Sequence, residues 1–274
     1  MDNTRPRKAV ILARGMGSRM RQEATRTSLT TQQAQMASRG VKAMISLDGH
    51  RPFLDHVLSA LADAGFTDVC LVIGPEHDVI REYYDQVDKQ RITISYAIQA
   101  EPLGTADALL AAEGFAGDDR VLVINSDNYY PAKALTLLAD VSGSALVGFG
   151  RRAMLEQSNI PAERIRAFAL ATADQDGHLD ELVEKPDAAT VGRLGEDAVI
   201  SMNCWLCGPA IFDAARSIPA SPRGEYEITD AVRSAIAAGD PYRVVRADVG
   251  VLDMSNRDDV ASVVEFLAAR EVRL

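Results

Sequence analysis

The chain has 274 residues, 47% of them hydrophobic, and a formal net charge of −10. That length supports one large α/β domain or two small ones with a sizeable core. The acidic balance argues against a general nucleic-acid binder, and no apolar run approaches the ~20 residues that span a bilayer.

The N-terminus MDNTRPRK has no apolar signal region, so the expected location is the cytoplasm. Residues 8–13 predict a short strand that runs into a turn holding Gly15 and Gly17. Glycine adopts backbone angles other residues avoid, so such a turn brings bare N–H groups against a ligand. With Arg19 beside it, the turn suits a polyphosphate. Standing alone, a glycine pair after a strand is no more than a turn. Two familiar phosphate loops fail on spacing: a dinucleotide fingerprint wants a third glycine where Met20 stands, and the P-loop needs Gly-Lys-Ser/Thr. Residues 21–40 are polar, with a short helix expected near 30–36. They form either a flap over the glycine loop or a plain surface insertion. Lys42 is the one basic residue of the apolar run 41–45.

Residues 52–64 predict a helix with Pro52 near its first turn and Phe53, Val57, Leu58 and Leu61 on one face. A strand over 69–73, a helix over 76–85 and a strand over 92–98 follow. A loop from Gln99 then leads into an alanine-rich helix, and a strand over 121–124 ends in Asn125-Ser126-Asp127-Asn128. Strands alternating with helices predict a doubly wound, mostly parallel sheet, whose ligands sit beyond the carboxyl ends of the strands. Gly15, Gln99 and Asp127 all fall at that edge.

The second half predicts strands over 165–172, 179–183, 199–206 and 243–247 and helices over 227–238 and 258–270. One compact unit is expected: residues 1–150 form the nucleotide-binding part and 151–223 an inserted lobe, with 224–274 returning to the core. Cys204 and Cys207 are formally C-x-x-C, but on a strand positions three apart face opposite ways, which favours a buried structural pair. The four histidines are scattered without a ligand pattern. Asp127 and Asp253 each end a strand-like run. Singly each reads as a turn or cap residue; together, beside a phosphate loop, they suit one hard divalent cation. Glu184-Lys185-Pro186 follows another strand, where a surface ion pair is the plain alternative.

The motifs AVILARGMGSRM, Lys42, QAEPLGTADALL, VINSDN, VEKP, SMNCWLCGPAIF, GEYEITDAV and VLDMSNRDDV occur in this order. In that order the chain resembles the sugar-1-phosphate nucleotidylyltransferases, or nucleotide-sugar pyrophosphorylases, over nearly its whole length. The resemblance implies a GT-A-like Rossmannoid three-layer sandwich with a small inserted sugar-binding lobe. It implies an enzyme that condenses an NTP with a sugar 1-phosphate, using Mg²⁺, to give an NDP-sugar and pyrophosphate. Carried over, Ala13, Gly15, Gly17, Gln99, Gly104 and Thr105 would bind the nucleotide. Arg19, Lys42 and Lys185 would neutralise phosphates in catalysis. Glu184, Asn203 and Asn128 would hold the sugar, and Asp127 and Asp253 the metal. Arg14 departs from the glycine or alanine usual in that family. The gap from Arg19 to Lys42 is longer than usual, and Asn125-Ser126-Asp127 lacks the common preceding glycine. No left-handed β-helix domain is expected after the last helix. Neither nucleic acid nor membrane is an expected partner, and monomer and homo-oligomer both stay open. Two further readings are a non-catalytic nucleotide-sugar binding or regulatory subunit and a GT-A glycosyltransferase. The intact set of cations and aspartates argues against the first, and the absence of Asp-x-Asp at 125–127 against the second.

Overall fold

The computed structural model describes residues 5–15, 17, 20, 29–47 and 49–274. Arg19 and residues 21–28 lie outside these, and with them the predicted phosphate contact of Arg19 and the first part of the predicted flap. The described chain folds around a mixed sheet. Its strands are β1 (Lys8–Leu12), β2 (Asp68–Ile73), β3 (Thr93–Ile98), β4 (Val121–Asn125), β6 (Ser144–Phe149), β7 (Ala169–Ala173), β8 (Leu179–Val183), β9 (Val199–Cys207) and β10 (Tyr242–Ala247). The spatial order is β10-β6-β9-β4-β1-β2-β3, with β7 paired to β9 and β8 to β7. β1 lies parallel between β2 and β4. A separate antiparallel ribbon pairs β5 (Asn128–Tyr129) with β11 (Leu252–Asp253).

β1 is central because both its faces are apolar. Ala9 and Ile11 join the core on one side and Val10 the core on the other, all fully buried. Side chains alternate across a strand, so a continuous hydrophobic run feeds two helical layers at once. The helix Phe53–Ala64 packs nearly all its residues inward and ends at Gly65, whose φ of 92° caps it in the left-handed region. The helix Thr31–Arg39 opens on a capping box between Thr30 and Gln33 and also closes on a left-handed glycine, Gly40. This predicted helix therefore exists, a few residues longer than its sequence signal.

Several expectations shift. The strand expected over 165–172 begins late: Pro161 starts a turn of helix, Ala162–Ile165, and β7 covers only Ala169–Ala173. β6 was not anticipated at all. β9 matches its predicted range but runs antiparallel between β4 and β6, so residues from the 151–223 stretch help build the centre of the main sheet. On β9, Cys204 faces one core and Cys207 the other, both buried and unbridged, as the strand geometry requires. Burial pushes both thiols up, Cys207 to about 12, which leaves no reactive thiolate. Among the described residues no helix is long and apolar enough to cross a membrane.

Candidate active site

The carboxyl ends of β1, β3 and β4 open onto a cleft of about 460 Å³. Its lining includes Ala13, Gly15, Lys42, Gln99, Gly104, Thr105 and Asp127, which were picked from sequence motifs up to 114 positions apart. The two predicted glycines of the first turn differ in kind. Gly17 has φ 56°, and a Cβ there would sit 2.5 Å from the carbonyl oxygen of Gly40, so the fold itself demands glycine. Gly15 is not in the left-handed region, and a Cβ there would meet nothing within 4 Å. Any need for glycine at 15 thus comes from what enters the cleft.

At the β3 side, Gln99 is buried and its Nε2 donates to the Gly104 carbonyl (3.0 Å) and to Asp107 Oδ2 (2.8 Å). Gly104 has φ 114°, and its missing Cβ makes room for Tyr226, whose carbonyl oxygen would be 2.4 Å from it. Tyr226 in turn donates its N–H to the Leu103 carbonyl and accepts from Ala106 N–H. The Thr105 hydroxyl accepts from Ile228 N–H at 2.8 Å, which ties the cleft loop to the start of the helix Ile228–Ala237. The next residue of that helix, Thr229, donates its hydroxyl to Glu184 Oε1 at 2.8 Å. The segment 224–229 therefore links the cleft to the predicted sugar residues.

At the β4 side, Lys42 leaves a 3-10 turn, Lys42–Met44, and its Nζ lies 2.8 Å from Asp127 Oδ2. Asp253 is brought close by the β5–β11 ribbon, in which it pairs with Asn128, and Met254 N–H donates to the Asp127 carbonyl. Asn128 is buried and spends its amide on Asp253 Oδ1 (3.0 Å), so the structure places it behind the carboxylate. Arg164 forms an ion pair with Asp253 Oδ2 and reaches Asp259 Oδ1 at 3.1 Å. Burial, and then the neighbouring Asp127 charge, raise the Asp253 carboxyl to about 6. Two oxygen-donor carboxylates with compensating cations fit a hard divalent ion. Among the described residues no group of three or more His, Cys, Asp or Glu could hold one, so its remaining ligands would be substrate oxygens and water.

Glu184, Lys185 and Asn203 do not line the cleft itself. Lys185 (φ 46°) and Asn203 (φ 53°) are, however, the non-glycine residues with positive φ among those described. Backbone held in that region costs on the order of 1–3 kcal/mol each and concentrates where side chains must be aimed. The kink at Asn203 is held by Tyr130, whose hydroxyl donates to the Met202 carbonyl at 2.5 Å. Sequence reasoning passed over Arg164, and also Arg223, which pairs with Glu225 and Glu227 beside the cleft. The position of Arg223 immediately before the GEYEIT motif was the available signal; Arg164 had none.

A family model described as "Nucleotidyl transferase" matches residues 8–269. The UTP–glucose-1-phosphate uridylyltransferase AglF of Haloferax volcanii is 28% identical over 251 residues, 92% of each chain. A glucose-1-phosphate thymidylyltransferase of Streptomyces antibioticus is 31% identical over 85% of this chain. The chain spans 58% of that relative's length, and the same share of another curated relative. A UDP-glucose pyrophosphorylase solved with UDP-glucose superimposes with a TM-score of 0.74 at 16% identity, covering 97% of this chain and all of that one. The α/β sandwich is thus shared with that structure.

Proposed function

The chain belongs to the nucleotidyl transferase family, and from that premise we propose that it joins an NTP to a sugar 1-phosphate, releasing pyrophosphate. The names of its relatives favour UTP or dTTP as the nucleotide and glucose 1-phosphate as the acceptor. The observation that carries the reading is the pairing of Lys42 Nζ with Asp127 Oδ2, at one end of a cleft whose other end is Gln99.

In this reaction an oxygen of the sugar phosphate forms a bond to the α-phosphorus as the bond to the pyrophosphate oxygen breaks. The nucleophile is already ionised, so no general base is needed. What must be overcome is repulsion between two anions, and catalysis is positioning plus charge neutralisation. Lys42 supplies positive charge at the β4 end, and Lys185 at the acceptor side, with Arg19 assigned to the leaving phosphates. Asp127 and Asp253 would hold Mg²⁺, which when bound offsets phosphate charge. Gly15, Gly17 and Ala13 shape the phosphate turn, Gln99, Gly104 and Thr105 the nucleoside end. Glu184, held by Thr229, and Asn203 are assigned to sugar hydroxyls, with Asn128 acting through Asp253. The same reading assigns the chain to the cytoplasm, where such substrates are used. A pyrophosphate-release assay with UTP or dTTP, glucose 1-phosphate and Mg²⁺ should give one pyrophosphate per NDP-sugar. No pyrophosphate from these substrates, with a nucleoside diphosphate released when an NDP-sugar and a hydroxyl acceptor are supplied instead, would mark a glycosyltransferase and sink the reading.

A further inference from the structure

One charged side chain of the cleft wall has no task in that chemistry. Arg14 lines the cleft, yet its side chain is only 8% exposed. Its Nε approaches Glu76 Oε1 at 3.4 Å, and its buried Nη1 has no hydrogen-bond partner among the described residues. A buried guanidinium N–H left unmet is costly, and native folds keep few such groups without a reason.

Its place decides what it would meet. Glu76 follows β2, and Ala13 N–H donates to the Val72 carbonyl of β2, so Arg14 leans toward the β2–β3 side. That is the side of Gln99. Lys42 and Asp127 occupy the opposite side, next to β4, where the phosphates and cation belong. Both partners of Gln99 Nε2, a carbonyl and a carboxylate, only accept, so the amide orientation is fixed and Oε1 is the atom it can offer a ligand. This end of the cleft therefore holds one acceptor and one unmet donor. The complement is a ring N–H beside a carbonyl, the edge shared by uracil, thymine and guanine and lacking in adenine.

Building on the nucleotidyltransferase reading, we infer that Arg14 is a specificity residue: its Nη1 donates to a carbonyl oxygen of the base while Gln99 accepts the ring N–H. Direct binding by calorimetry, without sugar phosphate, tests this with UTP, dTTP, GTP and ATP on the wild-type chain and on Arg14→Met. The wild type should bind at least one carbonyl-bearing nucleotide about tenfold or more tighter than ATP, and Arg14→Met should remove that margin while leaving ATP unchanged. Arg14→Lys, which keeps the charge without the second N–H, should lower the same ratio and serves if the methionine variant does not fold. Equal weakening of all four nucleotides would assign Arg14 to phosphate or to packing and overturn the inference, as would an unchanged ratio. A wild type that binds ATP as well as UTP, dTTP and GTP sinks the inference alone. A wild type that binds no nucleotide sinks the function reading with it.

Discussion

In the proposed reaction Lys42 supplies the positive charge at the β4 end of the cleft. Its ammonium sits on Asp127 at 2.8 Å with only 14% of the side chain exposed, so its charge acts with little screening. Replacing it with methionine should lower kcat/KM for nucleotidyl transfer by about 10²–10³-fold, the usual loss for one preorganised electrostatic partner. Steady-state pyrophosphate release checks this, and a fall below tenfold would remove Lys42 from the chemistry. Asp253 sets a pH dependence. Its ordinary value is 3.8, and burial and Asp127 raise it to about 6. Because the folded value lies above the unfolded one, the native state holds an extra proton between these values. This group therefore favours folding more as pH falls through that window and less as pH rises through about 6. A bound cation needs the ionised carboxylate, so Mn²⁺ affinity should drop as pH falls from about 7.5 to about 5.5. Titration at the two pH values would show equal affinities if Asp253 is not a ligand. Much of this site was legible beforehand: Lys42, Gln99, Gly104 and Asp127 stand out locally, as a lone basic residue, a loop or a strand end. Arg164 did not, because its meaning lies in Asp253, 89 positions away, and no local pattern encodes such a pairing.

The glycines show how elements, more than single residues, constrain the cleft. Gly104→Ala would drive a Cβ into Tyr226 and force a left-handed angle on alanine, so it should destabilise the chain by about 1–3 kcal/mol. Gly15→Ala meets open space and should leave stability within about 0.5 kcal/mol while weakening NTP binding. Thermal unfolding and nucleotide titration of the two variants separate the cases; equal stability losses would contradict the account. Continuous apolar strands such as β2 and β4 were readable because both faces are buried. β6, Ser144–Phe149, carried the same kind of run between Gly143 and Gly150 and was missed. The strand expected from 165 overshot because Pro161 nucleates a turn of helix before β7. The parallel expectation failed at β9 alone within the main path, since a strand's own pattern does not reveal which neighbours it will take.

At the scale of the molecule, a sheet with two apolar faces fixes the carboxyl ends of β1, β3 and β4 along one edge. The ribbon of β5 and β11 then carries a residue from the far end of the chain to the same edge. An acidic protein of net charge −10 thereby places Lys42 and Arg14 in the wall of one cleft with Asp127. In the proposed reaction Asp127 and Asp253 jointly hold the cation over which two anions meet. A crystal structure with UTP and Mn²⁺, read from the manganese anomalous signal, tests that joint role. One anomalous peak bonded to both carboxylates is expected, with Lys42 moved onto phosphate. A peak bonded to neither, or a nucleotide bound while Lys42 and Arg164 still hold those carboxylates, would contradict it.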